Sequence, residues 1–159
     1  ALAIKSGRPH YEVDDAVWDA SNDVMCHAFE LAAAGDFAVQ LHTEGGEDFE
    51  EVAEWAEERG MDRQQVVKHY SGGRLQGPTK SVLADKDELE LAIEEDEPFL
   101  METDYIDDPE RPGAVLGPKT VPRRVRWLLE KGADEAIRTA HVETPNAVYG
   151  IDTEATLSR

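Results

Sequence analysis

The chain has 159 residues, 40% of them hydrophobic, enough for one domain with a sizeable core. Its 35 Asp and Glu against 16 Lys and Arg leave a formal net charge of −19, which repels nucleic acid and anionic membrane surfaces and argues against either as a partner. No apolar run approaches the roughly 18 residues of a membrane span, no signal segment is visible, and the single cysteine, Cys26, excludes an internal disulfide.

In chain order, residues 1–6 read as a strand broken by Gly7-Arg8-Pro9. Asp14 or Asp15 then caps a helix carrying Val17, Val24, Met25, Phe29 and Leu31 and ending near Gly35. Residues 37–41 form the next strand. Asp48 caps a second helix in which Phe49, Val52, Ala53 and Ala56 follow the spacing i, i+3, i+4, i+7, stopped by Gly60. Residues 66–69 and 80–83 read as short strands, separated by a Gly-rich loop, and an acidic helix spans about residues 87–95. Residues 98–102 supply the last strand, and 107–113 read as a long loop over the mouth of the fold. Helices over about 122–131 and 134–140 follow, then a final helical turn over 145–149 stopped by Gly150. Residues 1–152 therefore form one domain, and 153–159 a frayed tail.

The apolar residues are periodic and all three Trp fall inside patterned segments, so the acidity reflects a folded surface rather than disorder. Sparse Lys with abundant Ala, Val, Asp and Glu is the composition of salt-adapted proteins, since molar salt shortens the Debye length to about 3 Å. A halophilic, archaeal source and a cytoplasmic location are the expectation.

Four residues with ligand chemistry each end a short apolar run: Lys5, His42, His69 and Asp104. Strand, site residue, loop and helix recur in that order. In a (β/α) barrel the carboxyl ends of successive strands open on one mouth, where residues distant in sequence converge on one ion. Neutral imidazole is a common transition-metal ligand, and Asp104 suits either coordination or proton abstraction from bound water. Protonated lysine has no acceptor, but a desolvated Lys5 can lose its proton and react with carbon dioxide to give an anionic carbamate ligand. Alternatively, Lys5 pairs with Asp104 or another acid. Arg8 and His10, just past the first strand, and Tyr70, beside His69, are candidate substrate contacts, whereas Lys68 points away from His69 by strand alternation.

The runs Val39-Gln-Leu-His42, Val67-Lys-His69-Tyr-Ser-Gly-Gly and Met101-Glu-Thr-Asp104, with the closing Thr144-Pro-Asn-Ala-Val-Tyr-Gly-Ile151, resemble the carboxyl-terminal portion of TatD-related metal-dependent hydrolases in the amidohydrolase superfamily. The resemblance implies an α/β fold, a (β/α)8 TIM barrel of which this chain covers about strands 4 to 8, with Lys5 closing strand four, His42 strand five, His69 strand six and Asp104 strand eight. It implies one or two divalent ions, zinc first and magnesium or manganese as alternatives, acting on a phosphoester, ester or amide through activated water. The family places Glu where Lys5 stands, while its phosphotriesterase-like branch places a carboxylated Lys there. TatD nucleases carry Arg two places after the strand-five His, where this chain has Glu44. The superfamily's His-x-His pair is absent, so an upstream barrel segment or a second copy of the chain is expected to complete the site. A non-enzymatic truncated barrel is the competing expectation.

Overall fold

The computed structural model describes residues 1–108, 110 and 116–157. Five parallel strands lie side by side in sequence order: β1 (Ala3–Gly7), β2 (Ala38–His42), β3 (Val66–Ser71), β4 (Thr79–Leu83) and β5 (Phe99–Glu102). Between them run α1 (Asp15–Gly35), α2 (Glu50–Glu58) and α3 (Lys86–Glu94), and after β5 come α4 (Thr120–Glu130), α5 (Asp134–Arg138), α6 (Thr144–Tyr149) and α7 (Thr153–Leu157). The chain is thus an α/β fold with a five-stranded parallel sheet. All five strands fall where the hydrophobic pattern places them.

Asp14 caps α1, its carboxylate accepting from Val17 N at 2.9 Å, and Asp36, with φ 53°, carries the left-handed turn at the other end. The helix itself ends at Gly35, where the pattern places its stop. Asp85 does the same work at α3, accepting from Asp87 N at 3.0 Å, whereas at α2 the cap position is Phe49 and Asp48, one residue before it, accepts from Glu50 N at 3.2 Å. α7 occupies residues expected as frayed tail. The loop expected over 107–113 lies in part outside the described residues.

Strand alternation sorts the core onto two faces. Val39, Leu41 and Val66 join Met25, Phe29 and Val52 under α1 and α2, while Val82 and Phe99 join Leu89 and Ala92 under α3. The neighbours of those strand residues, Ala38, Val67 and Leu100, face the other way and pack with Ala3, Val148 and Tyr149. The carboxyl-terminal helix α6 therefore lies across the inner face of the sheet and closes its lower end. Gln40, in the middle of β2, donates to the Tyr149 hydroxyl at 2.7 Å and extends that floor upward. Above it, toward the carboxyl ends of the strands, the inner face is open.

Candidate functional site

Counting two residues at a time up each strand from the inner-face core gives the site. Ala3 leads to Lys5, Ala38 to His42, Val67 to His69, and Leu100 to Glu102 and Asp104. A cavity of about 790 Å³ at this end is lined by Lys5, His10, His42, His69, Tyr70 and Asp104, among others. The four strand-end ligands expected from sequence are thus brought to one rim, and His10 and Tyr70 join them.

His69 stands between two carboxylates. Its Nδ1 is 2.9 Å from Glu102 Oε2 and its Nε2 is 3.1 Å from Asp104 Oδ1. Burial by itself would raise the Glu102 pKa. Hydrogen bonds from His69, Ser81 (2.6 Å) and the backbone N–H of Tyr70 (2.6 Å) outweigh that and hold the carboxyl below its ordinary value. An ionised Glu102 can only accept, so His69 Nδ1 carries a proton and donates it to that carboxylate. Nε2 faces the Asp104 carboxylate on the other side of the ring. Backbone geometry supports this placement: Tyr70 and Asp104 both adopt left-handed φ, 54° and 47°. For a tyrosine that conformation costs about 1–2 kcal/mol, and it turns the Tyr70 N–H onto Glu102.

His42 Nε2 lies 3.2 Å from His10 Nδ1, and the His42 and His69 rings are 5.6 Å apart between centroids. Burial, then the charges of His10, His69 and Lys5, lower the His42 pKa against the pull of Asp104, which favours the neutral imidazole a metal requires. Desolvation also lowers Lys5, opposed by Glu102 and Asp104. That direction favours the free amine from which a carbamate forms.

The other sequence candidates fall differently. Arg8 is committed elsewhere: Nε donates to both Glu44 oxygens at 3.1 and 2.9 Å, Nη1 to Asn22 at 3.2 Å, and the guanidinium sits 4.6 Å over Trp18. These bonds clamp the loop after β1 to Glu44 and to α1, and leave the Arg8 side chain 9% exposed. Tyr70 is 47% exposed, with its ring edge toward His69, and remains open to a ligand. Lys68 faces the helix layer as alternation requires, 4.7 Å from the Phe49 ring, and burial lowers its pKa against Glu44 and Glu102. Glu102 escaped the sequence reading, although its two-residue spacing from Asp104 puts both carboxylates on the inner face.

In donor type the cluster suits a divalent ion: three histidines and the Asp104 carboxylate on one wall, with a second carboxylate, Glu102, orienting His69 from behind. Among the described residues, however, no three His, Cys, Asp or Glu side chains are grouped so that they could hold a metal ion. No described helix is long and apolar enough to cross a membrane.

The chain is 42% identical over 157 residues to an uncharacterized protein of Methanocaldococcus jannaschii, an alignment covering 93% of this chain and 56% of that relative. The chain thus spans little more than half the length of the curated protein it matches. No solved structure matches it. Residues 1–150 match the model of the TatD related DNase family, to which the chain therefore belongs.

Proposed function

We propose that this chain supplies strands four to eight of a (β/α)8 metal-dependent hydrolase, with β1 to β5 in those places, and that it cleaves a phosphoester, ester or amide bond. The convergence of His42, His69 and Asp104 from three strands onto one rim is the observation that carries this reading. Membership in a family described as TatD related DNase favours the phosphoester among the three bonds. The net charge of −19 favours a small phosphoester over a nucleic acid.

His42 and His69 would hold the ion or ions, zinc first and magnesium or manganese as alternatives, with Asp104 and a carboxylated Lys5 completing the protein's share. A bound ion would supply a water of lowered pKa and polarise the scissile bond. Glu102 keeps the His69 proton on Nδ1 and so leaves Nε2 free to coordinate. Asp104, on the solvent side of His69, is placed to take the proton from the attacking water. Tyr70 forms an open wall against which substrate can rest.

That no three His, Cys, Asp or Glu side chains among the described residues are grouped to hold a metal ion favours a second reading for the 159 residues alone, that of a truncated barrel without turnover. An upstream segment or a second copy of the chain is the proposed complement, and a halophilic archaeal cytoplasm the proposed setting. The test is zinc stoichiometry with phosphodiesterase, phosphotriesterase and esterase turnover, compared for this chain and for the longer protein carrying it. Metal uptake and turnover by the longer protein, both lost in His42→Gln and His69→Gln, is the expected result. A longer protein that is active and indifferent to those substitutions overturns the site.

A further inference from the structure

We propose that His10 is an ion ligand paired with His42, placed by a clamp of Gly7, Arg8 and Glu44. The proposal rests on the metal reading above and extends it to a residue outside the strands.

Two nitrogens bound to one zinc at about 2.0–2.1 Å in tetrahedral geometry stand about 3.3 Å apart. His10 Nδ1 and His42 Nε2 are 3.2 Å apart, and His69 Nε2 and Asp104 Oδ1 are 3.1 Å apart. Both pairs have the separation of donors sharing an ion, and both face the same cavity. His10 is exposed and lies in the loop after β1, so an unrestrained side chain would have no reason to hold that position.

The restraint comes from three elements at once. Gly7, with φ 151°, passes so close to β2 that a Cβ there would lie 1.8 Å from the His42 carbonyl oxygen, which only glycine permits. Arg8 N then donates to that same oxygen at 3.0 Å. Its side chain, 9% exposed, grips Glu44 through Nε and Nη2 and reaches Asn22 and Trp18 on α1. Pro9 fixes the next φ. His10 is the first side chain released from this clamp, and it is released onto His42. Arg8 and Glu44 are therefore positioning residues, acting through His10 and not on a substrate.

The experiment uses the longer protein with Zn(II) for affinity, by competition with a chelating dye, and Co(II) for the visible spectrum that reports ligand number and type. His10→Gln is expected to weaken zinc binding at least ~10-fold and to shift the Co(II) bands, with the folded circular dichroism retained because His10 is exposed. Arg8→Gln should weaken zinc in the same direction, and Arg8→Gln with His10→Gln together should be no worse than His10→Gln alone. If Arg8→Gln does not fold, Glu44→Gln takes its place in the same cycle. Wild-type affinity and spectrum in His10→Gln, with His42→Gln impaired, would mean that the 3.2 Å contact is only a hydrogen bond and would overturn the proposal while leaving the metal reading intact. No effect from His42→Gln either would remove the metal reading itself. Additive losses from Arg8 and His10 would overturn the clamp alone.

Discussion

The strand-end residues His42, His69 and Asp104 are legible in sequence because each closes an apolar run, and a parallel sheet sends all such ends to one side. What the pattern does not expose is how they are held. Glu102 lies inside a strand, where an acidic residue reads as a solvated face, yet it is half-buried and accepts from His69, Ser81 and Tyr70. The Arg8–Glu44 pair joins residues 36 apart, and in a chain so rich in Glu no spacing rule singles out that partner. Glu102→Gln keeps the shape but loses the anion that pins the His69 proton. Zinc affinity of the longer protein should fall ~10- to 100-fold, while the chain loses about 1–3 kcal/mol of stability through weakened bonds to Ser81 and Tyr70. Zinc competition and urea unfolding measure the two, and an affinity equal to wild type would deny Glu102 its orienting role.

Helices and strands were legible to within a few residues where a carboxylate cap and apolar spacing agreed, as at Asp14 and Asp85. In the carboxyl-terminal run the pattern placed the helices just as closely, but not the junction between them. Pro145 reads as the start of a separate helical turn, but α5 passes into α6 through a π-helical turn, Thr139–Glu143. A proline inside a helix removes one hydrogen bond and crowds the preceding turn, and a widened turn relieves both demands. That turn buries His141, whose Nε2 has no hydrogen-bond partner among the described residues, and burial lowers its pKa. The folded pKa thus lies below the unfolded value of about 6.5. The neutral form's contribution is complete above that value and is lost as pH falls through the folded pKa, because the unfolded chain then binds the extra proton. His141→Gln should flatten the decline in stability below pH ~6.5, a slope of at most about 1.4 kcal/mol per pH unit. Urea midpoints on either side of that pH give the slope. Equal slopes in variant and wild type would place the acid sensitivity elsewhere.

At the scale of the whole molecule two properties stand out, charge and openness. With a net charge of −19 and largely exposed acids, self-repulsion should weaken the fold in dilute buffer, and its thermal midpoint should rise from millimolar to molar salt. A flat or falling midpoint would remove the salt-adapted reading. Openness shows at β1, which ends the sheet with one side unpaired. Beside it, α1 contacts α2 on one flank and on the other exposes Val17, Val24 and Leu31, at 44%, 65% and 51%. Their spacing of seven residues puts them on one stripe of the helix. In the proposed barrel α1 is the fourth helix, and the third, from the upstream half, would lie along that stripe. Val24→Gln with Leu31→Gln should then leave the 159-residue chain within about 0.5 kcal/mol of wild type, as exposed substitutions do. The same pair should destabilise the longer protein by about 2 kcal/mol or more, since each side chain gives up apolar burial there. Urea unfolding of both proteins, with and without the pair, separates the cases. Equal indifference in the longer protein would mean that its upstream half does not pack against α1, and the assignment of β1 to β5 as strands four to eight would fail with it.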